Sequence, residues 1–98
     1  MKTMSTIFQN PIPPYPGWKR RVYRLSRPVT GDDIRAFLGN EELYTRDTSS
    51  GLVSMIHKFG LLEINFISGE SEIEVWYDPE KESYSSEYMD ALLSTRFN

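Results

Sequence analysis

Between positions 61 and 78 the chain carries two strand-like runs, LLEINFIS and SEIEVWYD, on either side of Gly69-Glu70. A short glycine-containing connection between alternating apolar runs is a strong local signal for a β-hairpin. Period-two alternation then predicts the register. Leu62, Ile64 and Phe66 share one face with Ile73, Val75 and Tyr77, while Glu63, Asn65, Glu72 and Glu74 take the other, which reads as the solvent face. A lone hairpin with one apolar face is marginal in water, so this one needs further strands beside it and a helix over the apolar face.

The flanking sequence supplies both. KRRVYRLSR at 19–27 reads as a first strand, with Val22, Tyr23 and Leu25 giving β propensity and Pro28 stopping it. A short helix follows. Thr30 is placed to cap the amide of the third helical residue, Asp32 and Asp33 sit at the positive end of the dipole, and Ile34, Phe37 and Leu38 form one stripe before Gly39-Asn40. The span 41–59 has two readings. As strands, EELYTRD and GLVSMIHK pair through a turn at 48–51; as a helix, Ser50 caps and Leu52, Met55, Ile56 and Phe59 make a stripe. The strand reading is preferred because it extends the sheet that the hairpin needs. Asp78-Pro79 ends the sheet, and 83–97 reads as a second helix, capped by Ser85 or Ser86, whose apolar face is Tyr88, Met89, Leu92, Leu93 and Phe97.

This order predicts an α+β two-layer sandwich: an antiparallel sheet of four to five strands with two helices on one face. The 98 residues make one domain at 18–98, preceded by a proline-containing arm at 1–17. Within that arm, PIPPYPGW matches a P-x-x-P pattern only degenerately and without repeats, so it reads as an extended arm anchored by Ile12, Tyr15 and Trp18 rather than a recognition motif. The segment EIEVWYDPEKESYSSEYMDALL, about a fifth of the chain, resembles the closing strand and helix of heavy-metal-associated ferredoxin-like domains. The family's cysteine pair is absent, so its metal chemistry is not implied. The order strand, helix, several strands, helix also resembles half of a TATA-binding-protein-like fold. The expected arrangement is therefore ferredoxin-like or TBP-like.

Chemistry-bearing patterns are few. The chain has no cysteine, which removes disulfides, thiolate metal sites and thiol nucleophiles and fits a reducing, cytoplasmic setting. It has one histidine, His57, near Ser49, Ser50 and Ser54 but in no nucleophile-elbow context, and it has no phosphate-binding glycine loop. His57 reads as an exposed or packed side chain, and Glu70, Glu72 and Glu74 as a solvated strand face rather than a cation site. No enzyme activity, cofactor or metal is expected. No run is long and apolar enough for a membrane span.

Charge divides the chain. Up to Asp47 eight Lys or Arg stand against five Asp or Glu; beyond it three stand against nine, giving the net charge of -3. The basic half centres on the first strand, where Lys19, Arg20, Arg21 and Arg24 lie among Trp18 and Tyr23, a set suited to phosphates and stacked bases of a single-stranded nucleic acid. Opposed to this is a pairing of the same arginines with Glu63, Glu72 or Glu74 across the sheet. An acidic pI near 5.1 favours the pairing. The expected function is that of a small non-catalytic protein-interaction or accessory domain, binding a protein partner or itself, with Trp76, Ile67 and Tyr44 facing outward. The alternative is a nucleic-acid-binding domain that uses residues 18–27.

Overall fold

A computed structural model describes residues 13–47 and 52–97. Along it run β1 (Lys19–Arg24), α1 (Gly31–Leu38), β2 (Leu43–Asp47), β3 (Leu52–His57), β4 (Leu62–Ile67), β5 (Glu72–Tyr77), a 3-10 turn at Pro79–Lys81, and α2 (Glu82–Ser94). All strand pairs are antiparallel, in the order β1-β5-β4-β3-β2. The fold is α+β, an open five-stranded sheet with two helices. The span with two readings is strand, because β3 finds partners on both sides; its turn at 48–51 and Ile12 of the arm lie outside the described residues.

The central hairpin has the register that its alternation predicts. Ile64 pairs with Val75 and Leu62 with Tyr77. Between the strands, the N–H of Glu70 donates to the carbonyl of Ile67 at 3.1 Å, and Gly69 sits at the third turn position with φ of 92°. A β-carbon is poorly tolerated at that angle, which is why glycine stands there. The linker before α1 docks on this turn. Val29 donates to the Glu70 carbonyl at 2.9 Å and accepts from the N–H of Gly69 at 2.8 Å, and its own side chain is buried.

One hydrophobic core collects alternate strand residues and both helices. Met55, Leu62, Ile64, Phe66, Ile73, Val75 and Tyr77 meet Phe37 of α1 and Met89 of α2, with Phe37 stacked on Phe66 at 5.6 Å between ring centres. Ile34, Leu38, Tyr88, Leu92 and Leu93 are half-buried against it.

Each helix start has its own physics. Thr30 caps α1 in a reciprocal box: its hydroxyl oxygen accepts the Asp33 N–H, and the Asp33 carboxylate accepts the Thr30 N–H. α2 corrects the expected serine cap. Neither Ser85 nor Ser86 caps it; buried Ser85 lies inside the helix, its hydroxyl donating to the Glu82 carbonyl. The start is set upstream, where the Asp78 carboxylate accepts the Glu80 N–H and Pro79 opens the 3-10 turn that leads into α2.

Asp33 does more than cap. Its side chain is fully buried, and Arg27 grips it with both terminal nitrogens at 2.7 and 2.9 Å while the Arg96 Nε donates at 2.6 Å. The hydrogen bonds from Arg27, with those from Arg96 and Thr30, hold its pKa far below the usual carboxylate range against the opposing effect of burial. One carboxylate thus ties together the β1–α1 linker, the start of α1 and the chain beyond α2.

The second sheet face corrects another expectation. Glu63, Asn65 and Glu74 point away from the core cluster as predicted, yet they are buried, as are Ser54 and Trp76. Two neighbouring strands flank each of these positions, and the polar groups satisfy one another. Ser54 donates to the Asn65 carbonyl oxygen at 2.6 Å, the Asn65 amide donates to Glu74 at 2.9 Å, and the Arg20 Nε donates to Glu74 at 2.7 Å. This ladder crosses β3, β4, β5 and β1. Of the aromatics expected outward, Tyr44 is exposed and Trp76 is not.

Candidate interaction surface on the first strand

β1 is the strand that sequence reasoning singled out, and the fold places it at one edge of the sheet. Its side chains divide between two faces. Lys19, Arg21 and Tyr23 lie opposite Tyr77, Val75 and Ile73, residues of the core cluster, whereas Arg20, Val22 and Arg24 lie opposite Trp76, Glu74 and Glu72. The predicted site is therefore contiguous along the strand but is not one surface.

The arginines are engaged within the fold. Arg20 meets the buried carboxylate of Glu74, Arg24 meets Glu72 at 3.4 Å, and Arg21 meets Glu82 at 3.0 Å. Arg21 also lies 4.8 Å over the Tyr77 ring and donates to the Tyr23 hydroxyl, so Tyr23 is half-buried against the core and not free to stack on a base. Trp18 is half-buried too. Its ring lies 4.7 Å from that of Tyr15, and its backbone N–H donates to the Tyr15 carbonyl. Lys19 is exposed and forms no ion pair among the described residues. The pairs differ in weight: Arg20–Glu74 is partly buried and belongs to a hydrogen-bonded network, whereas Arg24 has a side chain 80% exposed and gains little from Glu72 in water.

His57 lies on the core side of β3, opposite Leu43. It is buried, edge-on to Tyr88 at 4.9 Å, its Nδ1 accepts the Phe59 N–H, and its Nε2 stands 3.6 Å from the Glu42 carboxylate. Ser54 lies on the opposite face of β3 from His57, in the polar ladder opposite Asn65. Ser49 and Ser50 lie outside the described residues. Tyr88 carries a buried hydroxyl without a hydrogen-bond partner among the described residues, and burial, helped by the Glu42 charge, pushes its pKa up to about 12. A hydroxyl held that firmly to its proton is a poor acid. Among the described residues no three His, Asp or Glu side chains gather as a metal site, and no helix is long and apolar enough to cross a membrane.

Burial lowers the pKa of His57 below its ordinary 6.5, with Lys58 and Lys81 adding to the shift and Glu42 opposing it. A histidine neutral in the fold favours the folded state fully above the unfolded value, and that contribution is lost as pH falls through 6.5 toward the depressed folded value. Urea midpoints measured from about pH 7.5 down to 5 should therefore decline, and His57→Gln should flatten the decline. An equally steep decline in the variant would assign the dependence to another group.

Sequence reasoning missed Asn65 as a partner of Glu74, with Ser54 behind it as a partner of Asn65, and Arg27 and Arg96 as partners of Asp33. The signal available for the ladder was the polar run Ser54, Asn65, Glu74 at matching strand positions. No such signal existed for the Asp33 cluster, whose members are 6 and 63 positions apart. Comparison with protein-family models, curated proteins and solved structures returns no match for this chain.

Proposed function

We propose that this chain is a non-catalytic protein-interaction or accessory domain of the cytoplasm, and that its basic strand serves the fold before it serves any ligand. The observation that carries the reading is the pairing of Arg20, Arg21 and Arg24 with Glu74, Glu82 and Glu72. Phosphates would have to compete with carboxylates already in place. Exposed aromatics support a protein surface: Phe59 and Tyr84 are 63% and 71% exposed, and Tyr44 lies exposed on β2. We also propose a TBP-like arrangement with both helices over one sheet face, supported by the element order and by the shared core of Phe37 and Met89.

A second reading, a single-stranded nucleic-acid surface, draws on exposed Lys19 beside the Tyr15–Trp18 ring pair. Titration of labelled single-stranded RNA and DNA at low salt separates the two. The protein-binding reading expects no saturable affinity where phosphate contacts are strongest. Micromolar binding whose logarithm falls with log salt, at about 0.7 per phosphate neutralised, would defeat it in favour of the second.

A further inference from the structure

β1 pairs with β5 on one side, and among the described residues no strand lies on its other side. The N–H of Leu25 donates to the Ser71 carbonyl at 2.7 Å, which marks this as a hydrogen-bonded position of the antiparallel ladder. Alternation by two then turns the backbone groups of Tyr23, Arg21 and Lys19 toward β5, and those of Arg20, Val22 and Arg24 outward. The result is a row of main-chain donors and acceptors along a sheet edge. Beside its end, a cleft of about 350 Å3 opens between Arg24 and Leu25 on one side and Asp90, Leu93 and Phe97 on the other. Leu25, Leu93 and Phe97 are buried or half-buried and give it an apolar floor; Arg24 and Asp90 are its exposed charged rim.

We infer that β1 is a docking edge for an extended segment of another protein that alternates apolar and acidic side chains, taken up as a sixth strand. This rests on the protein-binding reading and names its site. Main-chain bonds to Arg20, Val22 and Arg24 supply affinity, and the side chains on the two faces supply selectivity. On the face shared with Leu25, an apolar side chain of the added strand enters the cleft. On the opposite face its neighbours run beside Arg20, Val22 and Arg24. Arg20 is held inward by Glu74, but Arg24, on this same face, is solvent-exposed with a long contact to Glu72. That cation favours carboxylates on this face of the incoming chain. A second copy of β1 suits the edge less well, because an antiparallel pair centred on Val22 sets Arg20 against Arg24 and like charges directly opposed are unfavourable.

The test uses two capped, fluorescent peptides of about ten residues, long enough to span the edge, one alternating valine with glutamate and the other valine with lysine. Anisotropy should show saturable binding of the glutamate peptide, with the lysine peptide weaker by about tenfold or more. Hydrogen exchange should show new protection at the amides of Arg20, Val22 and Arg24, and little change at Arg21 and Tyr23. Val22→Pro removes one outward donor and should weaken binding; Arg24→Glu, at an exposed side chain, should do the same if the proline variant does not fold. Binding of neither peptide overturns the inference, as does protection confined to Leu43–Asp47. Protection of the β1 amides that grows with protein concentration alone gives the edge to a second copy and also overturns it. None of these outcomes touches the protein-binding reading itself, which falls only to the salt-dependent nucleic-acid affinity described above.

Discussion

Asp33→Ala should lower the free energy of unfolding by about 3 kcal/mol, because it removes a helix cap and a fully buried partner of two arginines together. Loss of a cap accounts for about 1 kcal/mol, and the rest comes from leaving the Arg27 and Arg96 guanidinium groups without their carboxylate. The figure sits at the low end for a broken buried pair because both arginines are partly exposed and can turn to water. Asp33→Asn keeps a cap acceptor and should cost less than Ala, while Thr30→Ala should cost the cap alone. Acid provides an independent check. The native pKa of Asp33 is depressed, so its contribution is complete above the unfolded value of 3.8 and fades as pH falls through the depressed native value. The gap between the natural chain and the Ala variant, read from urea unfolding, should be full above about pH 5 and narrow in stronger acid. A gap that is absent at neutral pH would show that the cluster adds nothing.

Truncation inside the hairpin tests the core. Ile64 is wholly buried, and Ile64→Ala should cost about 3 kcal/mol, from lost transfer energy and the cavity left behind. Val75, its cross-strand partner at 1% exposure, loses fewer atoms and should cost about 2 kcal/mol. Leu92 is half-buried at the margin of the same core, so its truncation should cost less than either. Losses below about 0.5 kcal/mol at both Ile64 and Val75, as measured by denaturant unfolding, would mean that the register is inverted.

Alternation made the hairpin legible because the apolar set Leu62, Ile64, Phe66 and its partner set Ile73, Val75, Tyr77 obey one local rule that tertiary context does not override. The start of α1 was legible for the same reason: Thr30 and Asp33 satisfy each other within four residues. Local rules failed elsewhere. Glu63, Asn65 and Glu74 look like solvent-facing residues in any single strand, and only when β3, β4, β5 and β1 stand side by side do they become a buried, bonded row. Leu52–His57 satisfied a helical stripe as well as a strand, and pairing with β2 on one side and β4 on the other decided between them. At the candidate site, the basic character of β1 was visible in the chain, but its division between two faces and the outward turn of its backbone required the pairing with β5.

The separation of β1 from that partner shapes how the chain comes to be folded. Leu43–Ile67 can fold into a three-stranded meander from neighbouring contacts, but Arg20 and Glu74 stand 54 positions apart, and the Arg96 contact to Asp33 spans 63. Closing loops of that length costs entropy before any contact rewards it, so these pairings belong to the slow, late part of folding. On the ribosome, β1 emerges early and waits for Glu72–Tyr77 to be synthesised. Through that interval both of its backbone edges are open to other nascent chains. Five of the chain's eleven basic residues lie at positions 19–27. Such a density of one charge keeps a waiting strand soluble and repels its own copies. The charges that are later paired, three with glutamates and one with Asp33, thus act first as a guard on an unfinished sheet.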